Sequence, residues 1–308
     1  MSVRARDVGT NKKGERVSGV TRVLAGNFGC NTYSYMRSHG AEDCITHLAD
    51  LGFHDIELMV HPRHLWPAAL SAERRRALRR LIEHRGLRLV ALNMPNIDIN
   101  IAAEAAEMRV YSLSLLVLAV RLAGELGAPG VVIGPGKANP LCPAEMEVLT
   151  GHFHAALDAL CPVADACATA LWVENMPFAF LPAIGPLLAA LERYGNDKVR
   201  VVYDAANAHF IGEDFADGLR QCHRQLALVH LSDTGRQVYR HDPVGQGTVP
   251  FADVLRACAE IGHTMRPMLE IISPDPDKDI LASARKLAAI ELTLADEDRM
   301  NKTAYKES

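Results

Sequence analysis

From Thr21 onward, short runs rich in Val, Ile, Leu and aromatic residues alternate with longer stretches whose apolar positions recur every three to four residues. This alternation predicts parallel strands wrapped by helices. The strand candidates are Arg22–Gly26, Asp55–Leu58, Leu87–Leu92, Gly130–Ile133, Leu171–Glu174, Arg200–Tyr203, Ala227–Leu231 and Pro267–Ile271. Between them the pattern places helices such as Ser71–Arg85, where Ser71 is a candidate N-cap, Leu78, Leu81 and Ile82 share a face, and Gly86 offers a left-handed stop. From Glu57 to Glu270 the strands recur at roughly 36 residues per step, the length of a βα unit. Eight such units close more naturally into a (β/α)8 barrel than into an open sheet. No Pro- or Ser-rich linker divides the chain, so residues 21–295 are expected to form one barrel domain. A disordered segment is expected over residues 1–20 and a polar tail over residues 296–308.

Composition narrows the function. The chain has 308 residues, 33 basic and 37 acidic, for a formal charge of −4. It therefore carries no overall positive field to attract a nucleic-acid backbone or an anionic membrane. Seven cysteines form an odd set with no CxxC pair, which argues for space-filling thiols in a reducing compartment. With no apolar leader core and no uninterrupted apolar run of spanning length, a cytoplasmic protein is expected. The arginines of Ser71–Arg85 read as a solvated helix face rather than a phosphate patch. Gly134-Pro-Gly-Lys137 is too short for a phosphate loop and lacks its Ser or Thr, and no GxGxxG follows the first strand.

Four late strands each end in an ionisable residue. Leu171-Trp-Val runs into Glu174, Val201-Val-Tyr into Asp204, Leu228-Val into His230 and Met268-Leu into Glu270. In a barrel the C-terminal strand ends converge on one mouth. Burying three acids beside one imidazole is costly unless a cation compensates them. One divalent ion, Mn2+, Mg2+, Co2+ or Zn2+, suits this donor set and keeps positions open for a substrate.

The chain resembles the xylose-isomerase-like TIM-barrel superfamily, in particular its sugar phosphate isomerase/epimerase group. The carriers of the resemblance are Gly52-Phe-His-Asp-Ile-Glu57-Leu, Val173-Glu174-Asn-Met-Pro, Tyr203-Asp204-Ala-Ala-Asn207-Ala-His209, His230-Leu-Ser-Asp233-Thr-Gly-Arg236, Gly245-Gln-Gly247 and Leu269-Glu270-Ile. It implies that Glu174, Asp204, His230 and Glu270 ligate the metal and that Glu174 and Glu270 also move protons. It implies too that Arg236 holds substrate oxygens. Many sugar epimerases place a His three residues after the Asp ligand. This chain has Asn207 there, so only a neutral amide is available at that point.

A second group of residues is expected near the mouth. Glu57 ends strand two, as a ligand for a substrate hydroxyl, a partner of His61 or a structural ion pair. His61 and Trp66 belong to a proline-bounded loop suited to walling a sugar pocket. Asn93 follows strand three and can donate and accept. Lys137 and His241 sit in loops after strands four and seven, and His241 is a candidate either for substrate or for a second metal. Asp233 is a candidate to orient His230 or Arg236. The function expected is isomerisation or epimerisation of a small polyhydroxylated ketone or aldehyde (a sugar, sugar phosphate, inosose or keto-sugar) through a metal-stabilised enediolate. Its rivals are a dehydratase of the same fold, an apurinic-endonuclease-like hydrolase and a binding module. The expected partner is a small carbohydrate-like molecule, with no nucleic acid and no membrane, and a homo-oligomer stays open.

Overall fold

The computed structural model of the chain describes residues 27–306. Eight parallel strands close in sequence order into a barrel: β1 (Gly29–Asn31), β2 (Asp55–Met59), β3 (Arg88–Asn93), β4 (Gly130–Ile133), β5 (Ala170–Glu174), β6 (Arg200–Asp204), β7 (Leu226–Leu231) and β8 (Met268–Leu269). This is a single-domain (β/α)8 barrel. Seven strands fall where the apolar runs predict them. The first does not: β1 is Gly29–Asn31, and the expected strand Arg22–Gly26 lies outside the described residues, as does the expected disordered segment 1–20. Cys30 pairs with Ile56 on one side and Leu269 on the other, so closure of the ring selects a short segment with a weak apolar signal.

Helices α1 (Ala41–Leu51), α2 (Ala72–His84), α3 (Ala106–Leu126), α4 (Met146–Ala166), α5 (Ile184–Tyr194), α6 (Ala205–Ile211), α7 (Phe215–Cys222), α8 (Phe251–Glu260) and α9 (Pro276–Lys306) surround the barrel. Helical backbone thus runs through most of the expected C-terminal tail. Ser71 caps α2 by accepting from Arg74 N at 3.2 Å. Arg74, Arg75 and Arg79 of α2 pair with Glu42, Glu125 and Glu83, as expected of a solvated face. All seven cysteines are free thiols. Among the described residues, no helix is long and apolar enough to cross a membrane.

The pleat explains how the site is built. Outward residues such as Leu171, Val173, Val201, Tyr203, Val229 and Leu269 join the core between sheet and helices. Their neighbours Val132, Trp172, Val202, Leu228 and Met268 form a separate apolar cluster that plugs the barrel. Side chains two apart on a strand share a face. Trp172 is therefore followed by Glu174, Val202 by Asp204, Leu228 by His230 and Met268 by Glu270, one layer above the plug. Gly130 makes room for the indole, since a Cβ there would lie 2.3 Å from Trp172 Cδ2.

Candidate metal centre

Glu174, Asp204, His230 and Glu270 are buried, and one ligand atom from each lies within 4.8 Å of all the others. His230 Nδ1 stands 3.4 Å from Glu174 Oε1 and 3.2 Å from Glu270 Oε2, while Nε2 stands 2.9 Å from Glu57 Oε2. None of these approaches is a well-aligned hydrogen bond for the imidazole, and Asp204 Oδ2 has no hydrogen-bond partner either. Burial, followed by the neighbouring Glu270, pushes the Glu174 carboxyl up. Burial pushes Asp204 up to about 6. Burial alone would lower His230, but Glu57, Glu270 and Glu174 hold it well above its ordinary value. Acids driven toward neutrality around orphaned donor atoms are the environment that a divalent cation relieves, and the O3N donor set suits one. The four residues thus make a candidate buried metal site.

A layer of amides and one carboxylate orients these groups. Glu57, buried in the middle of β2, faces His230 rather than His61, and its Oε1 accepts from Asn93 Nδ2 at 2.9 Å. Glu270 Oε1 accepts from Asn31 at 3.1 Å and Asn93 at 3.4 Å. Asp204 caps α6 by accepting from Asn207 N at 2.6 Å. The Asn207 amide donates to Asn175 O at 2.7 Å and Glu174 Oε1 at 3.3 Å, and its Oδ1 accepts from Tyr239 Oη at 2.6 Å. Tyr239 Oη is also 2.6 Å from His241 Nε2, and His241 Nδ1 is 2.9 Å from Ser232 Oγ and 3.1 Å from the Glu270 carbonyl. Both nitrogens of His241 are therefore engaged within the protein.

Above the candidate centre opens a cavity of about 330 Å³. Glu174, Glu270, Asn93, Asn207, Lys137 and His241 line it, as do Tyr33, Ile97, Phe178, Tyr239 and Ile272. The Lys137 ammonium donates to the carbonyls of Asn96 at 2.7 Å and Ile97 at 2.9 Å. Four residues expected to meet substrate do not line the cavity: Glu57 is fully buried against His230, and His61, Trp66 and Arg236 lie elsewhere. Mutual backbone hydrogen bonds between His61 and Leu65 fold that loop back, leaving His61 at the surface and Trp66 packed on the core. Arg236 is exposed and lines a separate groove of about 650 Å³ with His209, Arg220 and Arg256. That groove is larger, but the converging acids lie beneath the first cavity. Asp233 does not orient His230 or Arg236. Its carboxylate accepts from the backbone N–H of Thr234, Gly245 and Val249 at 2.9, 2.7 and 3.0 Å, stapling the loop that carries Tyr239 and His241. Gly247 lets this loop close, since a Cβ there would lie 2.5 Å from Asp233 Oδ1.

Sequence reasoning missed Asn31, Asn175, Tyr33, Phe178 and Tyr239. Asn175 directly follows Glu174, and Asn31 is the polar residue of a short strand; these were the available signals. For Tyr239 and Phe178 no local signal exists.

The sequence pattern of the family described as Xylose isomerase-like TIM barrel matches residues 45–290. The uncharacterized protein MJ1311 of Methanocaldococcus jannaschii is 24% identical over 179 residues, 56% of this chain, and the match spans 61% of that relative's length. Among solved structures, a D-tagatose 3-epimerase-like protein superposes with a TM-score of 0.75 at 18% identity, over 88% of this chain and 98% of that one. The 3-keto-D-glucoside 4-epimerase of E. coli gives 0.71 at 16% identity, over 86% and 99%. At such identities the likeness is one of fold.

Proposed function

The chain belongs to the xylose isomerase-like TIM barrel family, and from that premise we propose that it is a divalent-metal-dependent isomerase or epimerase of a small polyhydroxylated ketone or aldehyde. The observation that carries this reading is the placement of Glu174 and Glu270. They come from strands separated by two others, face the same imidazole nitrogen, and both line the cavity. The epimerase names borne by the similar structures support the same class.

Glu174, Asp204, His230 and Glu270 would hold the ion, which supplies Lewis-acid polarisation of a carbonyl and the adjacent hydroxyl. Glu57, 2.9 Å from His230 Nε2, would favour the proton on that nitrogen and leave Nδ1 free to ligate the ion. A carboxylate oxygen of Glu174 or Glu270 would take the proton from the carbon beside the carbonyl. The other glutamate returns one from the opposite side, which inverts the centre; return at the adjacent carbon interconverts aldose and ketose. Asn207 and Tyr239, hydrogen-bonded to each other, line the cavity as a neutral polar wall beside Glu174. The engagement of both His241 nitrogens weighs against a second metal there, and so against a multi-metal hydrolase. It also weighs, with the tethered Lys137, against a dehydratase needing either as its acid.

The test is C–H exchange in deuterated water. Mn2+-supplemented protein, screened by NMR against ketoses, inososes and keto-glycosides, should wash deuterium into the carbon beside the carbonyl of at least one. Protein with bound metal that exchanges none of them contradicts the reading.

A further inference from the structure

Two features of the mouth cavity describe the part of a substrate that does not react. The first is the state of its cation. Lys137 is the only Lys or Arg lining the cavity among the described residues, and two backbone carbonyls already hold its ammonium. Burial also lowers its affinity for the proton. Arg236, the other cation expected to meet substrate, opens onto the separate groove. A phosphate ester entering this cavity would have to break the Lys137 contacts to find the charge-assisted donors that phosphate recognition uses.

The second feature is apolar surface. Phe178 is 64% exposed, Ile97 68% and Ile272 42%, and all three line the cavity. Phe178 is not a loose side chain: its ring packs edge-on to Tyr239 at 5.5 Å and against Phe210 at 6.0 Å, and those two rings are 5.3 Å apart. The result is a fixed aromatic wall beside the polar floor. Large apolar side chains exposed around one concavity mark a ligand surface. A plain sugar could set one C–H face on the aromatic ring and leave Ile97 and Ile272 uncovered, whereas an apolar substituent would cover all three.

Resting on the isomerase reading, we propose that the substrate is an unphosphorylated carbohydrate bearing an apolar substituent, of the keto-glycoside class, with the substituent lying against Phe178, Ile97 and Ile272. Polar recognition then stays at the floor, and the aglycone supplies binding energy away from the reacting carbon.

Three matched ligands test this by calorimetry on Mn2+-loaded protein: methyl 3-keto-β-D-glucoside, its 6-phosphate, and phenyl 3-keto-β-D-glucoside. The phenyl compound should bind about tenfold more tightly than the methyl compound, and the phosphate no more tightly than it. Phe178→Ser should collapse the phenyl-to-methyl ratio toward one. The side chain is exposed, so the change removes little core, and metal content checks that the fold is intact. Tighter binding of the phosphate, equal binding of phenyl and methyl, an unchanged ratio in the variant, or no binding of any of the three overturns the proposal. Deuterium exchange on the same ligands separates the two ideas: tight phenyl binding without exchange would remove the isomerase reading and leave the apolar wall.

Discussion

Glu57 makes no direct claim on the candidate ion, yet it faces His230 Nε2 and shares Asn93 with Glu270. A carboxylate in that position fixes the tautomer of a ligating imidazole, and losing such a partner typically weakens metal binding about 10–100-fold. Glu57→Gln should therefore lower Mn2+ affinity by that order while the four ligands remain, as read by competition with a chelating dye. Unchanged affinity would reduce Glu57 to a structural ion pair. In the proposed scheme Glu174→Gln and Glu270→Gln each remove a charge that serves both metal and proton. Each should leave less than about a tenth of wild-type exchange activity at saturating metal. Greater retention in either variant takes that residue out of the proton-transfer scheme. Tyr239 is pushed up by burial and then by the Asp204, Glu174 and Glu270 carboxylates, so it stays a neutral donor. Its hydroxyl was not legible as a site group because its partners are Asn207, 32 positions away, and His241.

At the scale of an element, the loop between β7 and α8 stands out. It owes its shape to one buried carboxylate, Asp233, which accepts three backbone N–H groups, and to the paired backbone of Asp233 and Asp242. Removing an acceptor that is charged and buried leaves those donors unsatisfied, a cost on the order of 2 kcal/mol. Asp233→Ala should lower the thermal midpoint, and it should speed amide hydrogen exchange in residues 234–249 more than elsewhere. It should also lower kcat/KM, because Tyr239 and His241 ride on this loop. A uniform change across the chain would mean that Asp233 supports the barrel rather than the loop. The chain advertises this loop by its glycines and proline. The role of Asp233 depends on Val249 lying beside it in space.

Over the whole molecule, the buried charge layer links stability to pH. Burial pushes Asp204 up to about 6, above its ordinary value, and raises Glu174 as well. An acid whose folded value is raised binds protons better in the native state, so the metal-free protein loses stability as pH rises through that window. His230, held above 6.5, contributes stability below that value and loses it as pH climbs through its folded value, which has the same sign. A bound cation replaces those protons. The difference in thermal midpoint between Mn2+-loaded and chelator-treated protein should therefore widen from about pH 5 to about pH 7.5. An equal gap at both would show that the ion does not bind at this layer.

What the chain determined by itself is what period and chemistry can encode locally. Val-Val-Tyr-Asp204, Leu-Val-His230 and Met-Leu-Glu270 say strand, and they say that the last residue shares a face with the apolar one two before it. Four such endings mark a candidate metal site, because a cation offsets the cost of buried acids beside an imidazole. Tertiary structure decided everything that depends on which loops meet. Ring closure made a strand of Gly29–Asn31 despite its weak apolar signal, since β1 must pair with β2 and β8 at once. The fold of the loop after β2 withdrew His61 and Trp66, and the path after His230 sent Arg236 outward while bringing Tyr239 to Asn207. The strand pairings and the Tyr239–Asn207 contact join residues tens to hundreds of positions apart, and their energies depend on distance and burial, which no run of neighbouring residues records.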